Sequence, residues 1–315
     1  MKYIFGPIPS RRLGQSLGID TVPLKTCNWN CVYCQLGRSM PLTFERGEYA
    51  PRHELLAEVE QALAAYQPGE INWVTFVGSG EPTLHSGLGW LIRQVKALTN
   101  LPVAVITNGS LLYLPEVRDE LSAADAVLPT LDAGNAWLYR QINRAAPRFT
   151  FDRLVEGLCI FRQVYSGKLW IEVMLIQGMN DTDESLRELA LILKMIQPDQ
   201  VHVTLPVRPP AEAWVRPSNE VGVRRAEEIL GKVAMVSVPA AAEARAARIG
   251  ELAETVLSVV TRHPMQEEEL RILFSRWSAD EVHVALADLA SRHEVQAVER
   301  DGHSFWSASA ARYQR

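Results

Sequence analysis

Three of the four cysteines fall in one short segment, Thr-Cys-Asn-Trp-Asn-Cys-Val-Tyr-Cys-Gln-Leu-Gly, at Cys27, Cys31 and Cys34. The spacing is C-x3-C-x2-C. Three thiolates on one loop can ligate three corners of a cubane iron–sulfur cluster and leave one iron without a protein ligand. An iron left open in this way is available to a small molecule, as the open position of a catalytic metal site is. Two other readings stay open on spacing alone. A structural zinc site wants four ligands, commonly as two pairs; the fourth cysteine, Cys159, is far along the chain, and the loop has no histidine. A disulfide would leave an odd thiol and suits an oxidising compartment.

Such a loop needs a rigid frame behind it. Apolar segments at 17–22, 71–77, 101–107, 126–131, 169–176 and 201–206 read as strands. Between them, 51–66, 88–98, 115–124, 151–165 and 181–196 read as helices. Leu55, Val59 and Leu63 share a face of the first, and Leu186, Leu189 and Leu193 a face of the last. The last is expected to start on a capping box from Asp181 to Glu184. Near-continuous apolar strands alternating with amphipathic helices predict a parallel sheet covered by helices. Six units do not close an eight-stranded barrel. The expected fold is therefore α/β, an open partial (β/α)6 barrel, with its chemistry at the carboxyl ends of the strands.

The remaining polar candidates sit at those ends. Gly78-Ser79-Gly80-Glu81 follows a strand; its glycines allow close backbone approach to a ligand, although a plain turn has the same composition. Asn108 and Ser110 lie in Thr-Asn-Gly-Ser, and Asp132 in Asp-Ala-Gly, where turn chemistry explains them equally well. Glu172 is a charge inside an apolar strand and needs a partner if buried. Arg11 and Arg12 read as a solvated pair, with an anion contact as the sharper alternative. Arg140, Arg144, Arg208 and Arg216 are expected on the rim, suited to carboxylate or phosphate. Cys159 reads as an inert thiol in a helix.

The 315 residues carry a net charge of −5, with 47% hydrophobic and 22% charged residues, an ordinary globular balance. Nothing in it draws the chain as a whole to nucleic acid or to an anionic membrane. No apolar run reaches the ~18 residues of a membrane span, and the start lacks a signal-peptide core. A cytoplasmic protein is expected. Residues 1–240 are assigned to the barrel and 241–315 to a small α+β domain. Helices at 252–261, 266–274 and 279–291, then a hairpin on Asp301-Gly302, make a winged-helix-like pattern. From Glu251 onward there are 7 Arg, no Lys and 11 Asp or Glu, a net of 7 − 11 = −4. A DNA reader needs a basic footprint, so a protein- or peptide-contacting module, or a lid, is expected instead.

The cysteine spacing, with Tyr33 before the last thiol, resembles the signature of the radical S-adenosylmethionine (radical SAM) superfamily. Gly-Pro-x-Pro-Ser-Arg-Arg-Leu-Gly, Cys-Val-Tyr-Cys-Gln-Leu-Gly, Gly-Ser-Gly-Glu-Pro-Thr-Leu, Thr-Asn-Gly-Ser-Leu-Leu and Val-Arg-Pro-Pro-Ala-Glu are similar to a prokaryotic group of it related to the wyosine tRNA-modifying synthases. The resemblance implies a [4Fe–4S] cluster on Cys27, Cys31 and Cys34, with S-adenosylmethionine at the open iron. It also implies an external electron donor such as flavodoxin or ferredoxin. It maps Gly78, Ser79, Gly80 and Glu81 onto the family's Gly-Gly-Glu contact to the methionine amino group, with Ser79 in place of a glycine. Asn108, Ser110, Asp132 and Tyr33 become candidate cofactor contacts. The implied activity is hydrogen abstraction by a 5′-deoxyadenosyl radical, in an enzyme of oxidoreductase or transferase/lyase type. The second cysteine triad of the wyosine synthases is absent. The expected substrate is macromolecular, tRNA or a peptide; a small anionic metabolite and a non-catalytic iron–sulfur sensor are the alternatives.

Overall fold

The computed structural model describes residues 1–10, 12–231, 233–235 (backbone only) and 251–314. Arg11 and the expected domain boundary at 240/241 lie outside the described residues. The chain opens with strands β1 (Ile4–Ser10) and β2 (Gly14–Ile19), then helix α1 (Arg52–Ala64). Alternation follows: β3 (Trp73–Phe76), α2 (Leu88–Leu98), β4 (Val103–Thr107), α3 (Pro115–Leu121), β5 (Ala126–Pro129), α4 (Ala136–Ile142) and α5 (Phe151–Val164). Next come β6 (Lys168–Met174), α6 (Asp183–Ile196), β7 (Gln200–Thr204), α7 (Glu220–Leu230) and β8 (Val233–Met235). The eight strands form one sheet in chain order. β1 is antiparallel to β2, and every later pairing is parallel.

The sheet curls into a half-barrel, and side chains alternate across it. Val103 and Val105 of β4, and Leu169, Ile171 and Val173 of β6, enter the main core beneath the helices. Ala104, Ala126, Leu128 and Trp170 join Leu13 in a separate cluster on the other face. Each fully buried Val, Leu or Ile contributes about 1.5–3 kcal/mol, so the register is strongly specified: a one-residue slip would exchange the two faces.

All six expected strands and five expected helices are present. The edge strands β1 and β8 and the helices α4 and α7 were not expected. α6 does not start on a box from Asp181. Its N-cap is Thr182, which accepts from the Ser185 N–H. Asp181 instead accepts from the Gly178 N–H at 2.7 Å and the Ser218 hydroxyl at 2.6 Å, and so joins the loop before α6 to the loop before α7.

The downstream unit comprises α8 (Leu252–Arg262), β9 (Met265–Gln266), α9 (Glu267–Leu273), α10 (Ala279–Ser291), β10 (Val295–Arg300) and β11 (His303–Ala308). Its three strands pair antiparallel in the order β10-β11-β9. The hairpin turns on Asp301 (φ 48°) and Gly302 (φ 80°), the pair of left-handed residues that a two-residue turn needs. The core of this unit is shared. Phe5 and Ile8 of β1 pack with Val256, Val259, Leu270, Phe274 and Leu286. Polar ties reinforce the contact: Arg262 Nε donates to Asp20 Oδ2 at 2.7 Å, and Arg300 Nη2 to Pro206 O at 2.8 Å. Among the described residues, no helix is long and apolar enough to cross a membrane.

Candidate metal centre at the strand ends

The loop after β2 turns through Lys25, whose backbone is left-handed at φ 66°, and runs into the three cysteines. Its main chain is fixed from several sides. Lys25 N donates to Ser79 O at 2.6 Å, Asn30 N to Asn143 O at 3.1 Å, Val32 N to Ile142 O at 2.9 Å, and Glu212 N to Val32 O at 3.0 Å. Glu212 is buried and accepts from Arg38 Nε at 3.0 Å and from Arg144 Nη1. The loop closes with a Cys34 N to Cys31 O bond at 3.1 Å and a Gly37 N to Cys34 O bond at 3.0 Å. Gly37 is left-handed at φ 75°, and a Cβ there would run into the Arg312 backbone bridged to it.

All three thiols are free and half-buried. Each has an N–H donor at its sulfur. Trp29 N is 3.4 Å and Asn108 Nδ2 3.8 Å from Cys27 Sγ; Asn143 Nδ2 is 3.8 Å from Cys31 Sγ; Lys25 Nζ is 3.2 Å from Cys34 Sγ. Burial, then the nearby Glu81 charge, pushes the Cys27 thiol up to about 12. Burial and the two neighbouring thiols push Cys31 well above its ordinary value. A metal that binds a thiol so raised must displace its proton, so binding would release protons. Among the described residues, no three His, Cys, Asp or Glu side chains converge on one point as ligands of a single ion would. A cluster asks less, one thiolate per iron, together with N–H donors to the sulfurs. The residues present fit a cluster and do not build a mononuclear zinc site.

The loop after β3 packs directly on the cysteine loop. Glu81 N donates to Thr26 O at 2.9 Å, and a Cβ on Gly80 would overlap that same carbonyl. Gly78 has φ 154°, with Asp20 where a side chain would go. Ser79 turns its hydroxyl to Asp20 Oδ2 at 2.5 Å, and its N–H reaches Asp20 Oδ1 at 3.1 Å. Since Arg262 donates to the same Oδ2, the downstream unit is hydrogen-bonded through Asp20 to this loop.

Glu81 is buried and heavily bonded. Oε1 accepts from Thr83 N at 3.0 Å, Thr83 Oγ1 at 2.5 Å and Thr107 Oγ1 at 2.5 Å; Oε2 accepts from Asn108 N at 2.6 Å. Burial still raises its pKa above the usual carboxylate value. Asn108 Nδ2 donates to Asn28 Oδ1 at 2.7 Å, and Asn28 Nδ2 to Ser110 Oγ at 2.7 Å. Asp132 Oδ2 accepts from Tyr33 Oη and Asn143 Nδ2, both at 2.6 Å, and its Oδ1 from Met174 N at 2.7 Å. Burial holds Asp132 up at about 6 and raises the Tyr33 phenol, the Asp132 charge adding to the second effect.

Asn28, Asn143, Glu212 and Lys25 were not singled out from sequence. The signal was present for Asn28: short amides at 28 and 30 flank Trp29 between the first two cysteines.

Away from the thiols, Glu172 on β6 is ion-paired with Arg12, so Arg12 is not one of a solvated pair. His202 stands opposite Glu172 on β7, buried, its ring edge-on to Trp170. The expected arginine rim is largely committed elsewhere. Arg144 goes to Glu212, Arg208 to Pro264 O and Glu269, and Arg216 to Ala213 O at 2.6 Å; Arg140 is exposed. Cys159 lies half-buried in α5, against the main core.

A sequence model of the radical SAM superfamily matches residues 21–190, a span that holds the cysteine loop and the strand ends around it. The chain is 37% identical over 279 residues to a protein of Brachyspira hyodysenteriae named GTPase Obg, covering 87% of this chain and 40% of that protein. It therefore spans less than half the length of that relative. To a UPF0026 protein of Methanocaldococcus jannaschii it is 33% identical, covering 88% of this chain and 87% of the relative. Among solved structures, a radical SAM methyltransferase from Sphaerobacter thermophilus superposes with a TM-score of 0.55 at 20% identity, covering 70% of this chain and 64% of that one, a likeness of fold.

Proposed function

The chain belongs to the radical SAM superfamily, and from that membership we propose an enzyme that cleaves S-adenosylmethionine at the Cys27, Cys31 and Cys34 site and acts on a macromolecular substrate. Proteins of the superfamily hold a [4Fe–4S] cluster and S-adenosylmethionine. Bound there, the cluster supplies the electron that splits the sulfonium and gives a hydrogen-abstracting 5′-deoxyadenosyl radical. The observation that carries the reading is the meeting of three free thiols, each with an N–H donor at sulfur, with a strand-end loop bonded main chain to main chain to Lys25 and Thr26 just before them.

In this reading Cys27, Cys31 and Cys34 hold the metal. Gly78, Ser79 and Gly80 offer backbone to the methionine moiety. Glu81 ties the loop after β3 to the end of β4 through Thr107 Oγ1 and Asn108 N, and would face the methionine ammonium through Oε2, which accepts a single N–H. Asn108, Ser110, Tyr33 and Asp132 line the same end of the sheet, with Asn28 and Asn143 orienting them.

The downstream unit, from about residue 241, is read as a separate winged-helix-like domain that holds the substrate. Its charge favours a polypeptide over RNA. From Glu251 onward it has 7 Arg against 11 Asp or Glu, and Arg262 and Arg300 are buried against the barrel rather than offered outward. The commitment of Arg144 to Glu212, and of Arg208 to Pro264 O and Glu269, takes two of the four rim arginines from the clamp that a small anionic substrate would use.

The test is anaerobic reconstitution with dithionite and S-adenosylmethionine, followed by chromatography for 5′-deoxyadenosine. The expected result is its formation by the native chain and not by Cys34→Ala. A fully iron-loaded protein that fails to bind S-adenosylmethionine refutes the reading. A tRNA gel shift that weakens with salt would replace polypeptide by RNA.

A further inference from the structure

We infer that Lys25 sets the reduction potential of the iron–sulfur site, by holding an ammonium against the Cys34 sulfur. The inference rests on the function proposed above.

Lys25 Nζ lies 3.2 Å from Cys34 Sγ and 2.5 Å from Gly37 O. Among the described residues, Cys34 is the one thiol of the three with an ammonium in hydrogen-bond reach. The donors at Cys27 and Cys31 are a backbone N–H and two side-chain amides. The carboxyls nearby act in the opposite sense, Glu81 on Cys27 and Asp132 on Cys31. Lys25 thus offsets two buried acids from the third side.

The backbone is arranged for this contact. A left-handed lysine at φ 66° is in a region that L-residues seldom occupy and that persists only where surroundings over-determine it. Here the Lys25 N–H is fixed to Ser79 O at 2.6 Å, and the next residue's to Pro23 O at 3.0 Å. That turn sends the side chain back across the cysteine loop.

Reduction adds one electron from an external one-electron donor, and no bond or proton is exchanged with the protein. The reduced site carries one more negative charge than the oxidised site. A cation beside a ligand sulfur therefore stabilises the reduced form more, and raises the potential. Lys25 and Cys34 are both half-buried, so the effect is screened less than between groups in open water.

The experiment reconstitutes the full chain anaerobically as native, Lys25→Gln, Lys25→Met and Lys25→Arg. Iron is counted, and a potentiometric titration is followed by electron paramagnetic resonance. Gln keeps a donor for Gly37 O without the charge, while Met keeps neither. The expected result is equal iron in all four. At a fixed potential, the reduced-to-oxidised ratio falls about tenfold in both neutral variants, a midpoint drop of about 59 mV for one electron. Arg is expected to stay near native. An unmoved midpoint in iron-loaded Gln and Met chains overturns the inference and leaves the proposed function standing. So does a Gln chain that behaves as native while Met alone shifts, or iron lost from both, because either outcome makes Lys25 a loop clamp. A native chain that takes up no iron overturns the function itself, and the inference with it.

Discussion

Replacing Glu81 tests the reading that its carboxylate is first a brace between two strand ends. In the native chain it accepts four hydrogen bonds, from Thr83 N, Thr83 Oγ1, Thr107 Oγ1 and Asn108 N. In Glu81→Ala the two hydroxyls can rotate to other acceptors, but the two main-chain N–H groups cannot. Each buried donor left unpaired costs about 1–3 kcal/mol, so the pair predicts a loss of about 2–6 kcal/mol. For a chain of this size that is a fall in melting temperature of roughly 3–9 °C. Glu81→Gln keeps a carbonyl oxygen for the two threonines and turns an amide N–H2 toward the Asn108 N–H. It strands one donor and should cost about 1–3 kcal/mol. The assay is thermal unfolding of metal-free protein by circular dichroism, with calorimetric S-adenosylmethionine binding by the iron-loaded chains alongside. The expected order of stability is native, Gln, Ala. A Glu81→Ala chain that melts within about 2 °C of native would refute the brace. Thr107→Val offers a check, because its effect should shrink in the Glu81→Ala background, where its acceptor is already gone.

Two further outcomes follow from the packing. Gly80→Ala should fold yet load little iron and bind S-adenosylmethionine weakly, because its Cβ overlaps Thr26 O and breaks the Glu81–Thr26 bond; native iron content in that variant would show the two loops to be independent. His202 is held down to about 4 by burial and then by Arg12, and His263 to about 3 by burial and then by Arg208. The unfolded chain binds these protons near 6.5 and the folded chain does not, so stability is lost as pH falls from about 6.5 toward 4, by at most about 1.4 kcal/mol per pH unit for each group. Urea midpoints at pH 7 and pH 5 should therefore differ less in His202→Phe than in native protein, and equal differences would count against the assignment.

Much of this was legible in the chain because the strands are apolar on both faces and the helices carry one apolar stripe. Ile71, Val74 and Phe76, or Leu186, Leu189 and Leu193, need no partner to be recognised. β1 was not legible: Ile4–Ser10 contains Gly6, Pro7 and Pro9, which read as turn, and its place at the sheet edge is what tolerates them. α4 and α7 are 7 and 11 residues long, and their caps, Asn135 and Asn219, sit in stretches that also read as loop. At the site, residue types indicated thiolate chemistry, and spacing alone left zinc open. The partners of Glu81, Asp132 and Glu212 come from segments distant in sequence, so no local pattern could reveal them. The rim arginines illustrate the same limit, since Arg208 is spent on Pro264 and Glu269 of a unit that follows the barrel.

The loop that holds the three thiols is closed from far downstream. Gly37 is bridged to Arg312, Arg38 N donates to Arg312 O at 2.8 Å, and Tyr313 Oη donates to Gln35 O at 2.7 Å. During synthesis the cysteines leave the ribosome while residues 312–314 have yet to be made. The nascent barrel therefore carries its thiols on a loop without its strap until the downstream unit has emerged and docked. Metal insertion in the cell has two regimes to choose between, an early one into an open loop and a late one into a closed loop, and the order of translation separates them.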